Sequence, residues 1–146
     1  MHKNPKSALV IGFGGGMTLG AIEQYSELKK ATVVEIEPEV IEAASYFAHT
    51  NNNALGDSRL EIVVGDARNY LLTTKETFDV ISSEPSNPWI KGLATLYTKE
   101  FFQLAKDHLN EDGLMVQWIQ ITALAKEDVR SFVATFQSVF HPKNDC

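Results

Sequence analysis

The sequence is short of cysteine and of long apolar runs, and each shortage excludes a class of protein. Its 146 residues contain one cysteine, Cys146, which can form neither an internal disulfide nor a cysteine cluster around a metal. A reducing, cytoplasmic location is therefore expected. No apolar run approaches the roughly 20 residues that span a bilayer, and the polar leader at residues 1–7 lacks the apolar stretch of a secretion signal. We expect a chain without a membrane segment.

Positive charge and clustered histidine are also lacking. The chain has 13 Lys and Arg against 19 Asp and Glu, which gives a net charge of −6. Nucleic-acid binding depends on cationic contacts to phosphate, so this balance argues against DNA and RNA as partners and suits a small cationic substrate. The four histidines, His2, His49, His108 and His141, have no metal-ligand spacing, so no metal site is expected.

Glycine is concentrated in one place, the run Gly12-Phe13-Gly14-Gly15-Gly16, directly after the apolar residues 8–11. A buried strand that ends in glycines lets backbone N–H groups approach a ligand, and an acid ending the next strand, here Glu35, can accept both hydroxyls of a ribose. Glycines at the first, third and fifth positions differ from the first, third and sixth of dinucleotide loops. The run looks like the nucleoside loop of S-adenosylmethionine-dependent transferases. A tight strand-to-helix turn without a ligand is the alternative.

Strand-like runs alternate with helical periodicity along the chain. The predicted strands lie at 8–11, 33–37, 60–64, 78–82 and 114–119. The predicted helices carry three apolar faces: Val40, Ile41, Ala44, Phe47 and Ala48 after Pro38; Phe101, Leu104, Ala105 and Leu109 between Thr98 and residues 110–113; and Val129, Phe132, Val133, Phe136 and Phe140. This pattern predicts one α/β domain over residues 1–146. It is a doubly wound, Rossmann-like parallel sheet of about five strands in the order 3-2-1-4-5, with helices on both faces.

Acidic side chains follow three of the predicted strands at the points where those strands end. Glu35 and Glu37 end strand two, Asp66 follows strand three and Glu84 follows strand four. Since parallel strands end at one rim, these acids and the glycines are expected to surround one cleft. Glu35 is the favoured ribose ligand, although it could face the dipole of the following helix. Asp66 could contact an adenine amine or serve only as the N-cap of the next helix.

Residues 83–89, Ser-Glu-Pro-Ser-Asn-Pro-Trp, form a stiff loop over this cleft. Pro85 restricts Glu84 to an extended backbone, which holds its carboxylate in place. Beside a sulfonium nucleoside, such a carboxylate could deprotonate an attacking amine. The alternative is a proline-rich turn whose glutamate faces water. Trp89 is more often core or cleft wall than a specific ligand.

In these residues the chain resembles the polyamine aminopropyltransferases, the spermidine and spermine synthases. The resemblance rests on residues 9–16, 34–37 with 40–41, 64–67, 78–81 followed by an acid and Pro88, 96–102 and 112–113, in order and spacing. It is closest to the spermidine-synthase-like branch that reads Ser-Glu-Pro-Ser-Asn-Pro-Trp. Gly15 and Asn87 stand where the family has aspartates, and Glu84 stands at its catalytic aspartate.

The resemblance implies transfer of an aminopropyl group from decarboxylated S-adenosylmethionine to a polyamine, with methylthioadenosine leaving. The glycine run, Glu35 and Ile36 would hold the nucleoside, Asp66 and Ala67 the adenine, and Asn87 and Trp89 the substrate. Glu84 would be catalytic and would also contact the nucleoside. Val10 stands where methyltransferases usually carry an acid, which favours the decarboxylated donor over S-adenosylmethionine itself. A small-molecule methyltransferase and a noncatalytic nucleoside-binding or assembly module are the alternatives.

The end of the chain predicts an assembly. The resemblance implies two further strands of the methyltransferase fold where residues 141–146 form a truncated tail. Strand five, with Val116, Trp118, Ile119 and Ile121, would then be an open apolar edge. Because open edges invite pairing with another chain, we expect a homodimer or a larger homo-oligomer.

Overall fold

The computed structural model describes residues 4–86 and 92–141. The strands in this part are β1 (Ser7–Ile11), β2 (Lys30–Glu35), β3 (Leu60–Val64), β4 (Phe78–Ser83) and β5 (Leu109–Gln117). All pair in parallel, in one five-stranded sheet of order β3-β2-β1-β4-β5. The predicted doubly wound sheet and its strand order are therefore confirmed. No helix in the described ranges is long and apolar enough to cross a membrane.

Helices cover both faces of the sheet. The α-helices of the described residues are α1 (Met17–Ile22), α2 (Pro38–Ala43), α3 (Ala67–Thr73), α4 (Lys99–Asp107) and α5 (Lys126–Phe140), with 3-10 turns at Ala44–Phe47, Ala54–Gly56, Leu93–Tyr97 and Ile121–Ala123. On one face α1 and α2 pack over Val10 and Val33. On the other face α3, α4 and α5 enclose a core around Phe102, whose ring contacts three rings of α5 edge-on. This burial on both sides explains why β1 and β2 read as nearly continuous apolar runs.

The register of the sheet brings the carboxyl ends of the strands to one rim. Ile11 at the end of β1 pairs with Val34 of β2 on one side and with Ser83 of β4 on the other. Glu35 in turn pairs with Val64 at the end of β3. The loops after these strands therefore leave the sheet side by side, at the point where the winding reverses.

The opposite rim is fixed by a carboxylate, Asp79 of β4. One of its oxygens, Oδ2, accepts hydrogen bonds from the backbone N–H groups of Lys6 (2.6 Å) and Ser7 (3.0 Å). The other, Oδ1, accepts one from the side-chain amide of Asn110 (2.8 Å). Asp79 is buried, and it ties the start of β1 and the start of β5 to β4.

Strand β5 begins earlier than its sequence predicts. The turn-like residues 110–113 were expected to end helix four, but α4 ends at Asp107 and these residues lie inside β5. The strand accommodates them with a register shift against β4, and Asp112 has a positive φ of 63°. Pairing with β4 accounts for the difference, because the N–H of Phe78 already donates to the carbonyl of His108 (2.8 Å).

Two predicted apolar helix faces contain fewer buried residues than expected. Helix α2 ends at Ala43 and continues as a 3-10 turn, which leaves Phe47 exposed instead of on the buried face. On α5, Val133 is exposed, whereas Phe132 and Phe136 pack into the core. Strand β2 likewise ends at Glu35, and Glu37 is the N-cap residue of α2.

In the part of the chain that the structure describes, β5 lies at one edge of the sheet. Val116 (52%) and Trp118 (42%), at the end of this strand and directly after it, are exposed, and so is Ile121 (58%) in the 3-10 turn that follows. Strand β3 forms the other edge, where Ile62 is 41% exposed. Both edges thus present apolar surface.

Candidate nucleoside site

The glycine loop after β1 needs its glycines for two reasons. Gly12, Gly14 and Gly16 all have positive φ, at 85°, 52° and 77°, a conformation that other residues seldom adopt. Gly12 also lies against the backbone directly after β4, because a Cβ added to it would be 2.9 Å from the carbonyl oxygen of Glu84. The first glycine therefore allows the loop and the end of β4 to meet.

Glu35 holds this loop from the end of β2. Its Oε2 accepts a hydrogen bond from the N–H of Phe13 (2.7 Å), and its Oε1 accepts one from the N–H of Glu37 (3.0 Å). The residue is 7% exposed. Each carboxylate oxygen has about two acceptor positions, so each keeps one for a further donor such as a hydroxyl. Glu35 therefore bonds the glycine loop on one side and the N-cap residue of α2, Glu37, on the other.

Asp66 begins α3 on the far side of Glu35. Its Oδ1 accepts a hydrogen bond from the N–H of Asn69 (2.9 Å). Asp66 is therefore the N-cap residue of α3, one of the two roles considered for it from the sequence. The residue is exposed and, together with Ala67, faces the same cleft as Glu35. Capping and a contact to a base are compatible, because the cap occupies one oxygen.

Glu84 follows β4 and is held by two hydroxyl groups. Thr18 donates from its Oγ1 to the Oε2 of Glu84 (2.9 Å), and Ser82 donates from its Oγ to the Oε1 (2.9 Å). The backbone N–H of Glu84 also donates to the carbonyl of Ile11 (2.8 Å). Glu84 is half-buried and does not simply face water. The carboxylate therefore has a defined orientation at the rim.

These groups surround one cavity of about 370 Å³, within the roughly 300–1,000 Å³ range of small-molecule sites. The predicted site residues that line it are Gly12, Gly14, Glu35, Ile36, Asp66, Ala67 and Glu84. The lining residues that the sequence did not single out for the cleft include Val34, Val40, Gly65, Leu93 and Leu96. The sequence signal for these lining residues was their position after or beside the predicted strands. Apolar side chains in such positions are, however, typical of the core, so the sequence did not mark them as part of a cleft.

Three of the predicted site residues, Phe13, Gly15 and Gly16, are not among the residues that line the cavity. The side chain of Phe13 lies in the core under α1, and its backbone N–H donates a hydrogen bond to Glu35. Gly16 is the N-cap of α1 and packs against the ring of Phe13. Gly15 has open space around the position of a Cβ. The predicted substrate residues Asn87 and Trp89 lie outside the described residues.

A buried asparagine that the sequence reasoning missed supports the loop from behind. The side-chain amide of Asn51 donates to the carbonyls of Gly15 (3.1 Å) and Ala44 (3.2 Å), and the residue is 1% exposed. Asn51 thus ties the glycine loop to the 3-10 turn after α2. The triplet of asparagines at 51–53 marks a turn, but its long-range partners cannot be read from the sequence.

The segment after Glu84 is fixed by Tyr97. The hydroxyl of Tyr97 donates to the carbonyl of Ser86 (3.1 Å), and burial raises the pKa of Tyr97 to about 12. The hydroxyl therefore stays protonated and remains a donor throughout the physiological range.

The rim of the cavity is acidic, with Glu35, Glu37, Asp66 and Glu84 along it. In the described ranges no group of three His, Cys, Asp or Glu could hold a metal ion.

The doubly wound sheet, with its glycine loop after β1 and an acid at the end of β2, has a Rossmann-like fold of the methyltransferase-like type. The comparison with a human structure agrees with the fold: methyltransferase-like protein 13 in complex with SAH matches with a TM-score of 0.70 at 20% identity, over 92% of this chain and 63% of that one. At that identity the likeness shows the fold alone.

The chain belongs to the spermine/spermidine synthase family, whose domain matches residues 1–145. The polyamine aminopropyltransferase of Buchnera aphidicola is 35% identical over 128 residues, which cover 87% of this chain and 44% of that relative. The crystal structure of a spermidine synthase in complex with the transition state analogue AdoDATO matches with a TM-score of 0.81 at 33% identity, over 94% of this chain and 47% of that one. The chain thus spans about half the length of the relatives it matches, and the predicted family resemblance is confirmed.

Proposed function

We propose that this domain binds decarboxylated S-adenosylmethionine and transfers its aminopropyl group to a polyamine, releasing methylthioadenosine. The observation that carries the proposal is the convergence of Gly12, Glu35, Asp66 and Glu84 on one cavity at the carboxyl ends of the strands. The relative crystallised with AdoDATO supports the choice of ligand, since that compound is described as a transition state analogue of spermidine synthase.

In this reaction the acceptor's nitrogen attacks the carbon next to the sulfonium. The new C–N bond forms as the C–S bond breaks, and the bonding electrons return to sulfur, which leaves methylthioadenosine as a neutral thioether. The nitrogen must lose one proton, and Glu84 is the group proposed to accept it. An in-line displacement needs little else from the protein than the positioning of both reactants.

The other residues have binding roles in this proposal. Glu35 accepts the ribose hydroxyls with the acceptor positions that Phe13 and Glu37 leave open. Asp66 and Ala67 contact the adenine, with Ile36 beside it. A polyamine suits the acidic rim, because its ammonium groups are attracted by the carboxylates there. Contacts of Asn87 and Trp89 with the acceptor stay predictions from the sequence.

The test is a thermal-shift and turnover comparison of the wild-type chain with Glu84→Gln. Methylthioadenosine at about 100 times its Kd is expected to stabilise the fold by ~2.7 kcal/mol, a rise in Tm of roughly 5–10 °C. The variant Glu84→Gln should keep this shift and lose at least about 100-fold in kcat, the lower range for a general base. As a control, Glu42→Gln on the exposed side of α2 should change neither value.

The outcomes separate the alternatives. A larger shift with S-adenosylmethionine than with its decarboxylated form would indicate a methyltransferase. Binding of methylthioadenosine without turnover in the wild-type chain would indicate a noncatalytic module. No shift with any of these nucleosides at millimolar concentration would contradict the site itself.

We also propose that the chain assembles through the edge of β5. The exposed side chains of Val116 and Trp118 lie at the end of this strand, with exposed Ile121 in the 3-10 turn after it, and an open strand with apolar side chains favours pairing with another chain. A single domain over residues 1–146 and a cytoplasmic location are further proposals, the second based on the single cysteine, Cys146. Cell fractionation tests the location.

A further inference from the structure

We propose that Thr18 and Ser82 are positioning residues for Glu84. Through Thr18, the helix that follows the glycine loop, α1, helps to hold the proposed base in place. The inference rests on the proposed function of Glu84. Thr18 lies in the first turn of α1, directly after the glycine loop, and Ser82 lies in β4. Their hydroxyls occupy opposite oxygens of the same carboxylate, both at 2.9 Å.

The local structure explains why these two residues meet Glu84. Side chains two positions apart in an extended chain point to the same face, which places Ser82 beside Glu84. Ser82 is 4% exposed, and a hydroxyl buried to that degree needs a hydrogen-bond partner, which the carboxylate supplies. Thr18 reaches the carboxylate from a different element, since α1 packs against β1 and β1 pairs with β4.

Two donors on opposite oxygens restrict the carboxylate more than one donor would. A glutamate side chain has three rotatable bonds, and it is one methylene longer than an aspartate at the same place. With Oε1 bound to Ser82 and Oε2 bound to Thr18, rotation of the carboxylate breaks at least one hydrogen bond. Each oxygen keeps one acceptor position, so an amine in the cleft can still donate to Glu84.

The connection through Thr18 links the base to the nucleoside loop. Gly16 is the N-cap of α1, and its N–H donates to the carbonyl of Phe13 (2.8 Å), whose own N–H donates to Glu35 (2.7 Å). A continuous chain of contacts thus runs from the proposed ribose ligand, through the loop and Thr18, to the proposed base. The positions of the two reactants are set by the same structural unit.

The experiment compares Thr18→Val, which keeps the shape of the side chain and removes the hydroxyl, with Thr18→Ser, which keeps the hydroxyl. We expect Thr18→Val to lower kcat about 10-fold, part of the ~100-fold or larger effect of a general base, with the Kd for methylthioadenosine changed less than twofold. Thr18→Ser should restore kcat to within about threefold of wild type. As a matched control, Thr73→Val removes an exposed helical hydroxyl that bonds the backbone carbonyls of Asn69 and Tyr70 in α3, and it should leave kcat unchanged.

A wild-type kcat in Thr18→Val, or a loss of nucleoside affinity as large as the loss of kcat, would overturn the inference. A double-mutant cycle adds a readout that needs no activity: the urea midpoints of Thr18→Val, Glu84→Gln and the double variant report the coupling between the two side chains. Coupling together with a kcat effect supports the inference. If the cycle shows coupling but the wild-type chain has no turnover, the two side chains make a structural contact only. That outcome overturns both this inference and the proposed function. Absence of coupling overturns the inference alone.

Discussion

Replacing Gly12 by alanine tests the close approach between the glycine loop and β4. Gly12 has a φ of 85°, and a Cβ there would lie 2.9 Å from the carbonyl oxygen of Glu84 and 3.4 Å from its carbonyl carbon. The left-handed conformation costs a residue with a Cβ about 1–2 kcal/mol. The contact is with backbone, which cannot rotate away, and overpacking of this kind costs about 1–3 kcal/mol. We expect Gly12→Ala to destabilise the fold by about 3 kcal/mol.

Two neighbouring glycines provide matched controls for this substitution. Gly14 has a φ of 52° but nothing within 4 Å of a Cβ, so Gly14→Ala carries only the conformational cost, about 1 kcal/mol. Gly15 also has nothing within 4 Å and does not have a positive φ, so Gly15→Ala should stay within about 0.5 kcal/mol of wild type. The series separates steric contact from backbone strain.

The assay is thermal and urea unfolding followed by far-UV circular dichroism. At roughly 3 °C per kcal/mol for a chain of this size, the Tm should fall by about 9 °C in Gly12→Ala and about 3 °C in Gly14→Ala. Gly12→Ala should also weaken methylthioadenosine binding, since the loop must move away from β4. Equal losses of Tm in Gly12→Ala and Gly14→Ala would refute the contact with Glu84, and a stable Gly12→Ala would refute the loop conformation as well.

Two further predictions concern stability and assembly. Glu23 is the buried C-cap residue of α1, and burial and the nearby Asp57 carboxylate raise its pKa from 4.5 to about 7. The folded state therefore binds the proton more tightly, and stability should fall as pH rises from 4.5 to 7. Glu23→Gln should therefore raise the Tm at pH 8 relative to wild type and not at pH 4, and a constant difference between these pH values would contradict the assignment. Val116→Lys should shift the chain towards monomer in sedimentation at micromolar concentration, whereas Ile62→Lys on the opposite edge should not, and a wild-type monomer or a reversed pattern would reject assembly through β5.

The sequence was sufficient for the sheet order because strand-like runs alternate with helical periodicity along the chain, and glycines or acids follow four of these runs. The glycine loop, Glu35 and Glu84 could be located for the same reason, since a parallel sheet brings the ends of its strands together. Local patterns were insufficient where a long-range partner decides the conformation. Residues 110–113 read as a turn, yet the pairing of Phe78 with the carbonyl of His108 draws them into β5.

The supporting residues of the site were beyond the reach of the sequence for a related reason. Thr18 and Asn51 are polar residues whose roles come from distant partners, since Glu84 lies 66 positions from Thr18 and Gly15 lies 36 positions from Asn51. Spacing along the chain carries no signal for such contacts. Phe13 shows the converse, because it was predicted in the loop but acts through its N–H while its ring is core.

The hydrogen bonds of Asp79 give the sheet two rims with separate tasks. The rim that carries Glu35 and Glu84 borders the cavity, whereas the rim at Asp79 holds the starts of β1 and β5 to β4, and none of its residues is among the described residues that line the cavity. Selection on thermal tolerance can therefore act on one end of the strands while selection on substrate acts on the other. Engineering can use the same division: a more heat-resistant variant is best sought around Asp79, which is not among the described residues that line the cavity.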